Sequence, residues 1–376
     1  MSLFCVSNPM KEGLLGEQTL LVAKPKTEEA YRMLYVGLDL SRKRIDFDAL
    51  LPSGERFQAG AVPADALASL VLRLGAANEP VLAVIESMSG ARFVHDQLEL
   101  AGWDVRIADA VKVKGLAPLA CKTDKIDAWV LAELGRLGLV PEIWLPDPAV
   151  RAERERARFR LHLVKHRTAL KNRVHATLIT HGVPNPMSDL FGVGGRRLLA
   201  RLDLADPWRS TTLASLALID QLDREITGIE RELRALGADH RYIPLLVSCP
   251  GIAWILAFTI ASELGDITRF PTPVKFVGYT GLCPRVDQSG QRDWRGPLRK
   301  NGPNYLRWAL VEAAHTALRH PCYEPVLARQ TSRHGRKRGR KIATIEVARK
   351  LAEAIWWMLI RQQPFAPAGA GRKLTA

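Results

Sequence analysis

Cysteine is scarce and scattered. Cys5, Cys121, Cys249, Cys283 and Cys322 stand singly. No paired spacing suggests a zinc site, and an odd count argues against a disulfide framework, so a reducing cytosol is the expected compartment. Long apolar runs are missing too. None approaches the roughly 18–20 residues of a membrane span, and Ile355-Trp356-Trp357-Met358-Leu359-Ile360 is a short run closing a charged helix, read as core or interface. The first thirty residues lack the charged-then-apolar order of a signal peptide. They hold no periodic pattern and read as a loose extension (residues 1–32), with Met33 as an alternative start directly before the first strand. Acidic side chains are outnumbered: 39 Asp and Glu against 54 Lys and Arg give a formal net charge of +15 and a pI near 9.9. That balance favours a polyanionic partner, nucleic acid before membrane.

With 376 residues, 47% of them hydrophobic, the chain can hold two or three domains with real cores. Residues 34–39, 45–51 and 56–62 read as a meander, with Pro52-Ser53-Gly54 as one turn. A helix over 64–74, a strand over 81–86, a helix over 91–100, a strand over 103–108 and a helical pattern from 125 to 137 follow. Three meandering strands, then strands alternating with helices, indicate an α/β domain with a mixed sheet over residues 33–145, in the order of an RNase H-like fold.

Four acids stand out in this domain. Asp39 and Glu86 end the first and fourth apolar runs, and Asp124 and Asp127 lie three apart where a helix begins. Residues at i and i+3 share a helix face, so one helix turn can aim two carboxylates at one point while two strand ends deliver the others. Clustered carboxylates repel one another unless hard cations neutralise them. Oxygen ligands suit Mg²⁺, and two such ions about 3.5–4 Å apart can clamp both sides of a phosphodiester displacement. Taken singly, each acid also fits a capping role at a strand end or helix start.

Prolines 141, 146 and 148 punctuate a linker. A long helix dense in arginine is expected over about 149–180, with a basic face able to lie along phosphates and an apolar stripe that packs. His162 and His166 stand four apart on it, read as a solvated face rather than a zinc site. A second amphipathic helix over about 214–236 carries a coiled-coil-like seam, Leu216, Ile219, Leu222, Ile226, Ile229 and Leu233, that can pack within the chain or against a second subunit. These helices make up residues 146–239. From 240 to 365 the chain reads as all-helical, with a tail over 366–376. Pro250-Gly251 has the pattern of a helix-hairpin-helix turn, whose amides can hold a phosphate, and equally that of a plain connection. A Gly-rich loop sets Arg285, Arg292, Arg295, Arg299 and Lys300 around Ser289-Gly290. Guanidinium groups grip phosphate by paired hydrogen bonds, and a serine held among them can attack phosphorus, although Ser-Gly is also an ordinary turn. A basic stretch, Arg333, Arg336, Lys337, Arg338, Arg340 and Lys341, reads as a nucleic-acid contact or a charged loop.

Taken together, Gly37-Leu38-Asp39, Ile85-Glu86-Ser87, Lys122-Thr123-Asp124-Lys125-Ile126-Asp127-Ala128, Pro250-Gly251-Ile252, Thr280-Gly281-Leu282-Cys283-Pro284, Ser289-Gly290 and Arg299-Lys300-Asn301-Gly302-Pro303-Asn304 resemble the DEDD-type transposases, insertion-sequence recombinases related to the Piv invertase, some guided by a bridge RNA. The likeness spans about residues 33–365. It implies a RuvC-like N-terminal domain, a coiled-coil element and a helical transposase domain. It implies two Mg²⁺ ions on Asp39, Glu86, Asp124 and Asp127, and Ser289 as the nucleophile joined to a DNA end. It also implies donor and target DNA, a non-coding guide RNA and a homo-oligomer, dimer or tetramer, in the cytoplasm at the nucleoid. Two rival readings use fewer of these residues. One is a metal nuclease of the RNase H-like type with water as nucleophile. The other is a non-catalytic nucleic-acid scaffold.

Overall fold

The computed structural model describes residues 33–75, 79–116, 124–290 and 292–366, without the side chains of Asp124, Lys125, Asp287, Arg292, Asp293 and Arg295. The expected extension over 1–32, most of the tail, Cys5, Cys121, Lys122 and Thr123 lie outside the described residues. The chain separates into two units, residues 1–145 and 146–376.

In the first unit β1 (Leu34–Leu40), β2 (Arg44–Leu50) and β3 (Arg56–Pro63) form an antiparallel meander, followed by α1 (Leu67–Gly75). β4 (Val81–Glu86) returns parallel to β1, and α2 (Ala91–Leu100) leads to β5 (Asp104–Ala108), parallel to β4. Then come α3 (Ala110–Leu116) and α4 (Asp124–Arg136). The sheet order β3-β2-β1-β4-β5 is the mixed sheet of an RNase H-like fold. Strand side chains alternate between faces. Val36, Leu38, Leu40, Ala83 and Ile85 share one buried core with Leu70 and Leu74 of α1 and Val94 and Leu98 of α2. The other face carries Val84 and Ala108, which pack with Leu131 of α4. The candidate carboxylates Asp39 and Glu86 lie on this second face.

The second unit runs through α5 (Pro148–Thr180), α6 (Val193–Ala200), α7 (Trp208–Ala238), α8 (Ile243–Val247), α9 (Trp254–Leu264) and α10 (Pro273–Thr280). It continues with strands β6 (Pro284–Ser289) and β7 (Arg292–Leu298), then α11 (Asn304–Ala317), α12 (Glu324–His334) and α13 (Arg336–Arg361). Asp147 caps α5 by accepting from the Val150 amide at 3.0 Å, and Pro148 fits the first helical turn, where no amide donor is needed. Leu216 and Ile219 of α7 pack with Val174 and Leu178 of α5. Farther along, Leu233 joins Ala157 in the larger core built on α9, α11 and α13. The seam of α7 is thus used inside its own chain.

Two features depart from the sequence pattern. The basic face expected on α5 is largely neutralised within the unit. Arg156, Arg160 and Arg167 pair with Glu232, Glu230 and Asp223 of α7. Arg158 grips Glu263 of α9 with two bonds of 2.7 and 2.9 Å, and Arg154 donates to the carbonyl oxygens of Ser262 and Glu263. The partners lie tens of residues away, where periodicity does not reach. The glycine-rich loop, in turn, is an antiparallel hairpin, β6 on β7, with Ser289 opposite Arg292 at its tip. The basic stretch after Gly335 is no loop either: it opens α13, with Arg336, Lys337 and Arg338 exposed.

Candidate active site

Gly37 decides how closely the helix bearing Asp124 and Asp127 can approach the sheet. A β-carbon on Gly37 would stand 1.8 Å from the Ala128 carbonyl oxygen and 2.5 Å from the Ala132 nitrogen. Backbone therefore lies on backbone where α4 crosses β1. Ala128 and Ala132 are fully buried, and Gly135 comes to rest over Val84. The small residues at 128, 132 and 135 recur at helical spacing, so the approach is written along one side of α4.

This crossing puts three carboxylates on the same side of the sheet. Asp39 lies two residues beyond Gly37 and so points to the face that α4 covers. Glu86 lies two beyond Val84 and shares that face. Leu38 pairs with Ile85, so Asp39 and Glu86 are the next residues on parallel neighbours about 4.8 Å apart. Asp127 sits in the first turn of α4, directly before Ala128. Asp39, Glu86 and Asp127 are all half-buried. Asp124 is the first residue of α4, and its side chain lies outside the described residues.

Sequence reading passed over a fifth carboxylate. Asp46 of β2 lies directly opposite Asp39 and is only 2% exposed. Residues facing each other across antiparallel strands share a face, and like charges there repel. Arg44 offsets part of that repulsion: its Nε donates to Asp46 at 2.7 Å. Two residues on, buried Asp48 accepts from Arg56 at 2.7 Å, and this hydrogen bond and the Asp48 charge raise the Arg56 pKa. The signal was the alternation Arg44-Ile45-Asp46-Phe47-Asp48, in which both acids fall on one face. On α4 itself, Arg136 donates two bonds to Glu133, at 2.8 and 2.5 Å, and a third to the Pro52 carbonyl. The hydrogen bond from Arg136 holds the Glu133 carboxyl below its ordinary pKa. It also ties the far end of α4 to the β2–β3 turn.

Among the described residues, no three carboxylate, imidazole or thiol groups are gathered tightly enough to hold a metal ion. His162 and His166 are part of that result; the His162 ring lies 3.4 Å from the Tyr305 hydroxyl. The donor set on the α4 face nevertheless has the chemistry of a hard-cation site: carboxylate oxygens only, three of them half-buried, with Asp124 adjoining.

In the second unit Ser289 is exposed at the hairpin tip. Arg285, Arg299 and Lys300 are exposed too but lie at the hairpin base, beside the pairing of Pro284 with Leu298, and not around the serine as the sequence suggested. Arg292 and Arg295 lie on β7. The base of the hairpin is fixed by two glycines with left-handed backbone, Gly281 and Gly302. A β-carbon on Gly281 would fall 2.0 Å from the Asn301 carbonyl oxygen, and one on Gly302 would fall 1.9 Å from that of Tyr279. The Gly-Leu-Cys-Pro and Asn-Gly-Pro-Asn segments thus lock against each other and leave the tip projecting. Gly251, the hairpin-turn candidate, presses on α11, where a β-carbon would fall 2.2 Å from the Ala313 carbonyl oxygen. Packing alone accounts for a glycine there. No helix among the described residues is long and apolar enough to cross a membrane.

Comparison with known proteins gives two family matches in succession along the chain, the first running past the unit boundary through α5. Residues 36–182 match a transposase family of the DEDD, IS110 type. Residues 243–326 match the transposase IS116/IS110/IS902 family. A probable family 20 transposase of Pseudomonas aeruginosa is 26% identical over 303 residues, covering 77% of this chain and 86% of that protein. The transposase for insertion sequence element IS1328 of Yersinia enterocolitica is 27% identical, over 74% of this chain and 83% of its own length. The transposase for insertion sequence element IS1111A of Coxiella burnetii is 23% identical, over 95% of this chain and 98% of its own length.

Proposed function

The chain is an insertion-sequence transposase of the DEDD type, and from that premise we propose that it exchanges DNA strands through a covalent link to Ser289. Asp39, Glu86, Asp124 and Asp127 form the acidic centre at the scissile phosphate and would hold divalent ions there, Mg²⁺ by preference. The observation that carries this reading is the crossing of α4 over Gly37, which sets Asp127 on the sheet face shared by Asp39 and Glu86.

The chemistry follows from the residue types. Ser289 Oγ attacks phosphorus; the new O–P bond forms as the bond to a deoxyribose oxygen breaks, and the serine proton passes to that leaving oxygen. A deoxyribose hydroxyl of the new partner then attacks the same phosphorus and displaces the serine, which regains its proton. Each step exchanges one phosphodiester for another, so no nucleotide cofactor is consumed. The four carboxylates would hold divalent ions that, when bound, would supply Lewis acidity to the phosphoryl oxygens. Arg292 and Arg295 on β7 grip phosphates on the serine's side of the hairpin, and Arg285, Arg299 and Lys300 do so at its base. Arg336, Lys337 and Arg338 extend the basic surface at the N-terminus of α13, where the helix dipole adds to their pull on an anion. Donor and target DNA, a guide RNA and a dimeric or tetrameric assembly, in the cytoplasm at the nucleoid, complete the reading. A basic chain with a net charge of +15 supports it.

Variants of the full-length chain test this on DNA carrying the ends of its own element. Asp39→Asn and Glu86→Gln each reduce strand cleavage by a factor on the order of 100 or more. Ser289→Ala abolishes both exchange and the protein–DNA adduct. Full cleavage by Ser289→Ala would instead support hydrolysis by water, and exchange undiminished in Asp39→Asn would remove the acidic centre from the mechanism.

A further inference from the structure

Beside the carboxylates, on the same side of the sheet, lies a cavity of about 380 Å³. Its lining includes Phe47, Asp48, Arg56, Ala59, Ile126 and Trp129, and its size falls within the range of about 300–1,000 Å³ usual for small-ligand sites. Its position is fixed by neighbours already placed. Ile126 directly precedes Asp127, and Asp48 is two residues along β2 from Asp46, which faces Asp39. Two residues of strand span about 7 Å. A DNA strand whose phosphate reaches the acidic centre therefore carries its adjoining base past this cavity.

The lining suits a base. Trp129 is 38% exposed, although Ala128 and Val130 on either side of it are buried. Its indole is the aromatic surface the fold leaves uncovered here. The opposite wall, on edge strand β3, carries Ala59, which pairs with Asp48 and whose small side chain leaves the space open. At the rim Arg56 is 57% exposed, but its guanidinium is held by Asp48, itself 3% exposed. A cation fixed in this way can face a polyanion or a base edge without first being ordered. Bases stack on exposed aromatic rings with little regard to sequence, and enzymes that do chemistry on a base show that a nucleotide can be drawn out of the stack into a pocket of this kind.

We propose that this cavity takes one unstacked nucleobase of the DNA strand being cut, with Trp129 as the stacking platform and the Asp48-held Arg56 at its polar edge. This rests on the reading that Asp39, Glu86, Asp124 and Asp127 handle the scissile phosphate. The pocket sets where along the strand the cut falls, by holding the neighbouring nucleotide in register. Trp129 and Arg56 are positioning residues.

The test uses the full-length chain and element-end DNA with 5-iodouracil placed singly at each position beside the cut. On irradiation, one position forms a cross-link to Trp129, mapped by mass spectrometry. Trp129→Ala abolishes that cross-link and raises the KM for DNA by a factor on the order of 10–100, with kcat changed less. Trp129→Phe keeps a stacking ring and stays within a few-fold of the parent, which separates stacking from any loss of fold. Cross-links that all map elsewhere, or a Trp129→Ala variant with unchanged KM, would overturn the proposal. So would a cross-link to Trp129 formed by iodouracil RNA and by none of the DNA probes. The two readings fail separately: cleavage that persists in Asp39→Asn sinks the acidic centre, whereas cleavage that needs Asp39 and ignores Trp129 sinks the base pocket alone.

Discussion

Gly37 of β1 lies directly beneath Ala128 of α4, so close that a β-carbon on the glycine would stand 1.8 Å from the alanine carbonyl oxygen. Backbone atoms cannot swing aside as the end of a long side chain can. Gly37→Ala must lift α4 from the sheet, and with it Asp127. The expected cost is about 3 kcal/mol or more, at the upper end of overpacking penalties, seen as a lowered Tm and lost cleavage. Gly75→Ala, at the end of α1 with no atom of the described residues within 4 Å of the added carbon, leaves both close to the parent values.

Asp46 gives the next prediction. It is buried opposite Asp39 and bonded to Arg44, whose side chain is 51% exposed. Solvent screens such a pair, so Asp46→Ala is expected to cost only about 1–2 kcal/mol of stability. A double-mutant cycle with Arg44→Gln measures the coupling by denaturant unfolding; additive effects would show that Arg44 does not offset the charge of Asp46.

Glu263 of α9 is fully buried, and α5 closes over it through Arg158 and Arg154. Burial works against the Arg158 charge, but its hydrogen bond and ion pair with Glu263 outweigh this and raise the Arg158 pKa. Removing one partner of a buried pair strands the other. Glu263→Ala is expected to destabilise the second unit by about 2–4 kcal/mol. Arg156→Ala, which breaks an exposed pair with Glu232, costs under about 1 kcal/mol. Urea unfolding of the two variants compares them directly.

Glu133 couples the setting of α4 to pH. Its folded-state pKa is depressed by the Arg136 hydrogen bond. The stability it contributes is therefore fully present above the unfolded carboxyl value of about 4.3 and is lost as pH falls through the lower folded value. Glu133→Gln should lower stability at pH 7, where the contribution is fully present, and converge on the parent below that window, so that the acid side of its stability curve is flatter. A parallel curve for the variant would contradict the assignment.

Cys249 is buried, and burial first, then the neighbouring Cys322, push its thiol up to about 12. It is expected to resist iodoacetamide at pH 8 in the folded protein and to react on unfolding in guanidinium. Mass spectrometry of the labelled peptides reads both states.

The first unit could be read from its sequence because its strands stand out as alternating stretches or, like residues 81–85, as short apolar runs between breakers, and their succession with helices indicates a mixed sheet. The closeness of α4 was written in Gly37, Ala128, Ala132 and Gly135, residues with no side chain to draw notice. Asp46 escaped because its meaning depends on register: only pairing with β1 sets it opposite Asp39. The hairpin β6–β7 escaped for a different reason. Pro284-Arg285-Val286-Asp287-Gln288-Ser289 carries no apolar alternation, since a two-stranded ribbon with exposed Val286 and Trp294 buries little. The arginines of α5 suggested a phosphate track, while their acidic partners sit on α7 and α9, far off in sequence.

The most direct test joins the acidic centre to the serine. Full-length protein is incubated with element-end DNA and Mg²⁺, denatured, digested with nuclease and protease, and analysed by mass spectrometry. The account predicts a nucleotide attached to Ser289, formed only with a divalent ion and missing from Asp39→Asn. Cut DNA with no modified serine, or an adduct that forms equally well without Asp39, would contradict it.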